Sequence, residues 1–192
     1  MSEQAYRIGL IGCAGLGKST LALKISNELC IPFLNSKGIT RPVLQQYGYE
    51  YSESSFVEKF LSKKEIEFEI VSRRLQEESL LMGGFVTDRT TLECFCYAFL
   101  GLSTYSEDDF KLLERTCKMN MKNYTHLFFI PISSGWYESN GLRTVNINFQ
   151  RMIDILIKGI LKDWNIQYNE IPESALKNGK SFEFILSSLN GG

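Results

Sequence analysis

Gly12, Gly17, Lys18 and Ser19 stand at the spacing G-x-x-x-x-G-K-[ST] in the run GCAGLGKST, between an apolar stretch and an amphipathic one. Each residue type has a physical reason to be there. Glycines let the backbone curl until successive N–H groups point inward at one anion. A helix starting at Lys18 turns the positive end of its dipole to the same place. The Lys18 ammonium suits the β- and γ-phosphates, and the Ser19 hydroxyl is a ligand for Mg²⁺. Cys13, Ala14 and Leu16 fill the variable positions and Thr20 follows the serine, so residues 12–20 are the expected cradle for ATP.

A phosphate loop alone leaves the fate of the terminal phosphate open. Gly15 nests a second pattern, G-x-x-G-x-G-K-S-T, similar to the loops of small-molecule and nucleotide kinases. The Asn-Lys-x-Asp run by which GTPases read guanine is missing, and the length leaves little room for the helical lid domain of a ring-forming motor. Transfer is therefore favoured over hydrolysis.

Phe85-Val86-Thr87-Asp88 reads as a short strand ending in a carboxylate, with Arg89 directly behind it. Sites of this type hold Mg²⁺ or its waters with such a carboxylate. Asp88 is thus a candidate metal ligand with Ser19, or an acceptor of a hydroxyl proton, and Arg89 suits the charge of an acceptor or of the moving phosphoryl group. Asp-Arg at a strand end is similar to the pattern of thymidylate and deoxynucleoside kinases. Arg143, in Gly141-Leu142-Arg143-Thr144, is the candidate lid arginine for a loop over residues 133–145. Arg151 is a helix-face residue that could serve the same charge.

These residues need a scaffold. Strands are expected over Tyr6–Ile11, Ile31–Leu34, Phe85–Asp88, Leu127–Ile132 and Ile166–Ile171. Helices are expected over Lys18–Leu29, Phe56–Leu61, Glu65–Leu81, Thr91–Leu100, 106–122, Val145–Trp164 and Phe182–Leu189. Strands alternating with helices imply one α/β domain, a parallel five-stranded sheet with helices on both faces, in three layers. Ligands of such sheets bind at the carboxyl ends of the strands, which directs attention to residues 12–20, 35–41, 88–93 and 133–143.

Composition narrows the rest. The chain has 192 residues, with 21 Lys and Arg against 22 Asp and Glu, a balance that argues against broad binding to duplex nucleic acid. The polar start and the lack of a long apolar run predict neither a secretory leader nor a membrane span. Five cysteines, with no Cys-x-x-Cys pair, fit reduced thiols in a cytoplasmic protein, Cys94 and Cys96 being buried. His126 opens an apolar strand and is read as a structural residue. Tyr47, Tyr49, Tyr51 and Phe56 could stack on a base or simply pack under a loop, as could Trp136 and Tyr137. Lys63, Lys64, Arg73 and Arg74 are read as solvated helix faces, with Arg73 or Arg74 the alternative phosphate contacts.

GCAGLGKST, SKGITRPVLQQYG, FVTDRTTLECFCYAFL and GLRTVNINFQRMIDILI together resemble the NadR-like AAA ATPase family of P-loop proteins, found in phage and bacterial genomes. The resemblance covers residues 6–172. It implies a nucleotide-kinase-like core in which Asp88 and Arg89 face the acceptor, Arg41 lies near it, and Arg143 serves the lid. Glu93 stands where relatives carry Asp in DRTxxD, which implies an acceptor contact on a longer arm. The expectation is an ATP- and Mg²⁺-dependent kinase for a nucleoside or nucleotide. A hydroxymethylated base in DNA, and a nucleotide switch or ATPase with a protein partner, are the alternatives.

Overall fold

The structure, a computed structural model, describes residues 5–49, 63–132 and 147–190. Five strands, β1 (Arg7–Ile11), β2 (Phe33–Leu34), β3 (Phe85–Thr87), β4 (His126–Phe129) and β5 (Asn169–Glu170), form one sheet in the order β2-β3-β1-β4-β5. Every pairing is parallel, with Ile8 beside both Val86 and His126. The three inner strands are almost wholly apolar because parallel sheets are covered on both faces. The expected α/β architecture is present, and all the strands deliver their carboxyl ends to one edge.

Between the strands run α1 (Lys18–Leu29), α2 (Ser36–Gln46), α3 (Lys64–Leu80), α4 (Thr91–Ala98), a 3₁₀ turn (Phe99–Thr104), α5 (Glu107–Met121), α6 (Ile147–Asp163), α7 (Glu173–Lys177) and α8 (Ser181–Asn190). Ala22 and Ile25 of α1, Ile66, Ile70 and Val71 of α3, and Ile153, Ile157 and Leu161 of α6 recur at helical spacing and are buried. Ser106 caps α5, its hydroxyl accepting from the Asp109 N–H at 3.2 Å, with three acidic residues in the first turn as expected.

The differences from expectation have local causes. Residues 36–46 form a helix that was not among those expected. Asn35 caps it through the Lys37 N–H at 2.9 Å, and Pro42 is tolerated inside it although proline gives up an intrahelical donor. The last strand is two residues rather than six. Asn165 takes a left-handed turn and the Ile166 N–H returns to the Leu161 carbonyl, so this segment closes α6 instead of pairing with β4. The expected helix Phe56–Leu61 and the loop over 133–145, with Trp136, Tyr137 and Arg143, lie outside the described residues. No helix among the described residues is long and apolar enough to cross a membrane.

Candidate active site

β1 ends at Ile11 and the chain turns at once through the glycine loop into α1. Gly12 has φ +147°, and a Cβ there would stand 2.6 Å from the Ile130 carbonyl oxygen, so only glycine fits this corner. The Lys18 side chain folds back over the loop, its ammonium donating to the carbonyls of Gly12 at 2.5 Å and Cys13 at 2.6 Å. Burial lowers its pKa, and the nearby Glu93 carboxylate opposes that shift. Burial pushes the Cys13 thiol up to about 11, so it is inert at neutral pH.

β3 brings Asp88 to the same place. Its Oδ2 accepts from the Ser19 hydroxyl and its Oδ1 accepts from the Ser36 N–H at 2.9 Å. Burial alone would raise its pKa. These hydrogen bonds, with Arg89 beside it, hold the carboxyl below the ordinary aspartate value instead. Asp88 is therefore a fixed carboxylate with a neighbouring hydroxyl, a hard oxygen donor pair that fits Mg²⁺. The described residues contain no group of three or more His, Cys, Asp or Glu side chains that could enclose a metal. Any ion here would depend on Ser19, Asp88, nucleotide and water, as magnesium sites of this chemistry do.

Arg89 is half-buried, its guanidinium over the Tyr97 ring at 4.9 Å. Burial opposes its charge, yet its surroundings, Tyr97 and Cys94 foremost and then Glu93 and Glu67, favour the charged form. Thr90 begins α4 with a capping box. Its backbone N–H and hydroxyl reach Glu93 Oε2 at 2.8 and 2.7 Å, while Glu93 Oε1 accepts from the Gly12 N–H at 3.3 Å. Glu93, expected near the acceptor, is buried, and its carboxylate ties α4 to the phosphate loop. Arg41 is exposed on α2, the helix whose first N–H holds Asp88. Arg151 is exposed on α6, while His126 lies at the opposite, amino end of β4.

A polar layer beneath β3 escaped the sequence reading. Arg74 is fully buried rather than solvated, donating to the Thr87 hydroxyl at 3.0 Å and lying 3.7 Å from Glu78. Glu78 in turn accepts from Asn120 at 2.8 Å and from the Tyr124 hydroxyl at 2.6 Å. The network braces the residue preceding Asp88. Arg73, by contrast, pairs at the surface with Glu69 and Gln46. A legible signal existed: Glu67, Arg74 and Glu78 are spaced seven and four residues apart, on the helix face of Ile70 and Val71. A second missed residue is Gln150 of α6, whose Nε2 donates to the Ala14 carbonyl at 3.0 Å.

Comparison with known proteins bears on the family and the fold. A family described as an AAA domain matches residues 7–178. Cytidylate kinase of Saccharolobus islandicus is 23% identical over 163 residues, spanning 76% of this chain and 86% of that protein. Among solved structures, deoxyadenosine kinase from M. mycoides, with dCMP and dCDP bound, superposes with a TM-score of 0.64 at 16% identity, covering 97% of this chain and all of that one. Thymidylate kinase from Candida albicans gives 0.61 at 14% identity, covering 100% and 94%. A NadR protein in complex with NR gives 0.65 at 12% identity, over 88% of this chain and 46% of that one. The fold is that of P-loop nucleoside and nucleotide kinases.

Proposed function

The chain belongs to the AAA-domain family matched over residues 7–178, and from that premise we propose that it is an ATP- and Mg²⁺-dependent phosphotransferase for a nucleoside or nucleotide. The observation that carries the reading is the meeting of Asp88 with Ser19 at the sheet edge, with Arg89 as the next residue. A hydrolase needs the loop and the carboxylate. An arginine half-buried beside them, off the loop, gives a second negatively charged molecule a place to stand.

In the proposed reaction an acceptor oxygen attacks the γ-phosphorus of ATP, the bond to the β–γ bridging oxygen breaks, and ADP leaves. An acceptor hydroxyl passes its proton to solvent water in the same event, whereas an acceptor phosphate attacks already ionised. Lys18 exchanges its two carbonyl partners for phosphate oxygens, and the loop N–H groups with the α1 dipole hold the rest. Ser19 and Asp88 would hold Mg²⁺, which offsets charge on the β- and γ-phosphates when bound. Asp88, kept ionised by its hydrogen bonds, is a weak proton acceptor and suits the metal role better than that of general base. Arg89 positions the acceptor and neutralises its charge, and Arg143 is the proposed lid arginine. Catalysis of this kind is mostly positioning and electrostatics. The kinase names of the relatives support this substrate class.

The test is incubation with γ-labelled ATP and Mg²⁺ against a panel of nucleosides, nucleotides and hydroxymethylated DNA. Label in a nucleoside phosphate supports the proposal, and label in the DNA moves the acceptor to a base within a polymer. Label in free phosphate alone, across the whole panel, leaves a nucleotide-hydrolysing protein and sinks the transferase reading.

A further inference from the structure

We propose that Thr87 is a positioning residue for phosphoryl transfer: its hydroxyl holds the corner at Asp88 and Arg89, so that Arg89 stays aimed away from the phosphate loop. The inference rests on the phosphotransferase reading and adds to it a residue that touches neither substrate.

Thr87 closes β3 and pairs with Leu34 at the end of β2 and with Gly9 of β1. It is fully buried, in a strand whose other residues, Phe85 and Val86, are apolar. Valine has nearly the same shape and a strong strand preference, and it carries no polar atom to desolvate. The hydroxyl therefore needs a reason, and its contacts supply one. Oγ1 donates toward the carbonyl oxygens of Leu34 and Arg89, each at 2.9 Å, and accepts from Arg74 Nη1 at 3.0 Å.

Arg74 sets the direction of that hydroxyl. A guanidinium can only donate, so it occupies a lone pair of Oγ1 and leaves the single hydroxyl hydrogen for the two carbonyls. The places of those carbonyls matter. The Leu34 carbonyl lies two residues before Ser36, whose N–H holds Asp88 Oδ1 at 2.9 Å. Thr87 and Asp88 thus tie the ends of β2 and β3 together from successive positions. The Arg89 carbonyl lies two residues beyond Thr87, so the second contact closes the backbone around Asp88.

The closure keeps two directions apart. Asp88, at the apex, turns to Ser19 and Ser36 beside the phosphate loop. Arg89 turns to α4, its guanidinium 4.9 Å from the centre of the Tyr97 ring. Asp88 has two hydrogen bonds of its own and keeps its place when the Thr87 hydroxyl is lost. The Arg89 carbonyl loses the contact that fixes it. A displacement of about 1 Å in a group that positions a reactant costs on the order of 10²-fold in rate.

The test compares wild type, Thr87→Val and Thr87→Ser of the full chain, using γ-labelled ATP and whichever of cytidine, adenosine, thymidine and their monophosphates takes label fastest. Thr87→Val should lower kcat about 10–100-fold, while ADP affinity stays within about threefold and the dependence on Mg²⁺ is kept. Thr87→Ser retains the hydroxyl and should keep kcat within about threefold, although loss of the methyl lowers its melting temperature. In an Arg89→Ala background Thr87→Val should cost less than about threefold more, because the hydroxyl acts through Arg89. Normal transfer by folded Thr87→Val overturns the inference. So does a valine effect undiminished in the Arg89→Ala background, or an equal loss of kcat in the serine and valine variants. If valine prevents folding, Thr87→Ala against Thr87→Ser gives the same comparison, since they differ only in the hydroxyl: alanine must lose kcat and serine keep it. Failure of the phosphotransferase reading would look different: wild type itself would put label only into free phosphate, and the inference would fall with that reading.

Discussion

Gln150 Nε2 donates to the Ala14 carbonyl at 3.0 Å, so the helix that follows residues 133–146 grips the phosphate loop at its apex. Gln150 is 7% exposed, and a Cβ added at Gly15 would come within 3.4 Å of the same amide. Gln150→Leu should weaken ADP binding about 5–10-fold, the worth of one hydrogen bond to a loop that must hold its shape. Acceptor affinity measured without nucleotide should be unchanged, and titration calorimetry reads both numbers.

Asp88 and Arg89 should fail in different ways. Asp88→Asn should abolish the Mg²⁺ dependence of ATP binding, because it removes the carboxylate that hydrogen-bonds Ser19. Arg89→Ala should leave ADP affinity within about threefold while lowering the transfer rate on the order of 10²–10³-fold, as loss of a transition-state charge partner does. Single-turnover kinetics with saturating acceptor separates the two, and an Arg89→Ala enzyme that transfers normally would remove Arg89 from the site.

Gly12→Ala tests the corner after β1. The added methyl would meet the Ile130 carbonyl at 2.6 Å on a backbone with positive φ. A loss of about 2–4 kcal/mol is expected, seen as a melting temperature about 5–15 °C lower.

Glu67 gives the stability an alkaline slope. Its folded pKa of about 8 lies above the 4.5 of an unperturbed glutamate, so between those values the folded chain holds a proton that the unfolded chain has lost. Its contribution is complete below the unfolded value and disappears as pH rises through about 8. Arg89 is the charged group facing it, and the neighbouring Cys94, Tyr105 and Cys117 stay neutral across that range. Denaturant melts of wild type and Glu67→Gln should show wild type losing stability relative to the variant from pH 5 to 8, and a constant difference above about pH 9. A flat difference throughout would place the carboxyl in contact with water.

Glu78→Leu should be among the most damaging changes remote from the loop. It strands the buried Arg74 guanidinium and frees Asn120 and Tyr124, which argues for a loss of about 3–5 kcal/mol. Urea unfolding followed by tryptophan fluorescence measures it, with Trp164 buried in the core as the reporter.

The loop and Asp88 were legible because their chemistry is tied to local sequence: a glycine corner, a lysine at a helix start, a carboxylate ending an apolar strand. The contacts of Glu93 were not legible, because its spacing from Asp88 says how far it is along a helix and nothing about its two oxygens turning back to Thr90 and Gly12. Arg74 was taken for a surface charge because a charged residue on an amphipathic helix is usually solvated. Only tertiary pairing with Thr87, Asn120 and Tyr124 shows the inward face. Helix α2 was hidden by Gly38 and Pro42, whose low propensity is outweighed by burial of Ile39, Val43 and Leu44.

The strand order β2-β3-β1-β4-β5 also carries a cost during synthesis. β1 is the first of these five strands to be made and the central one, and both of its neighbours lie far downstream, at residues 85–87 and 126–129. At ribosomal speeds of about 5–20 residues per second, Ile8, Leu10 and Ile11 wait several seconds or longer for a partner to leave the exit tunnel. Gln150, which completes the grip on the loop, emerges later still. The nascent chain therefore exposes apolar strand residues long before the phosphate loop is gripped.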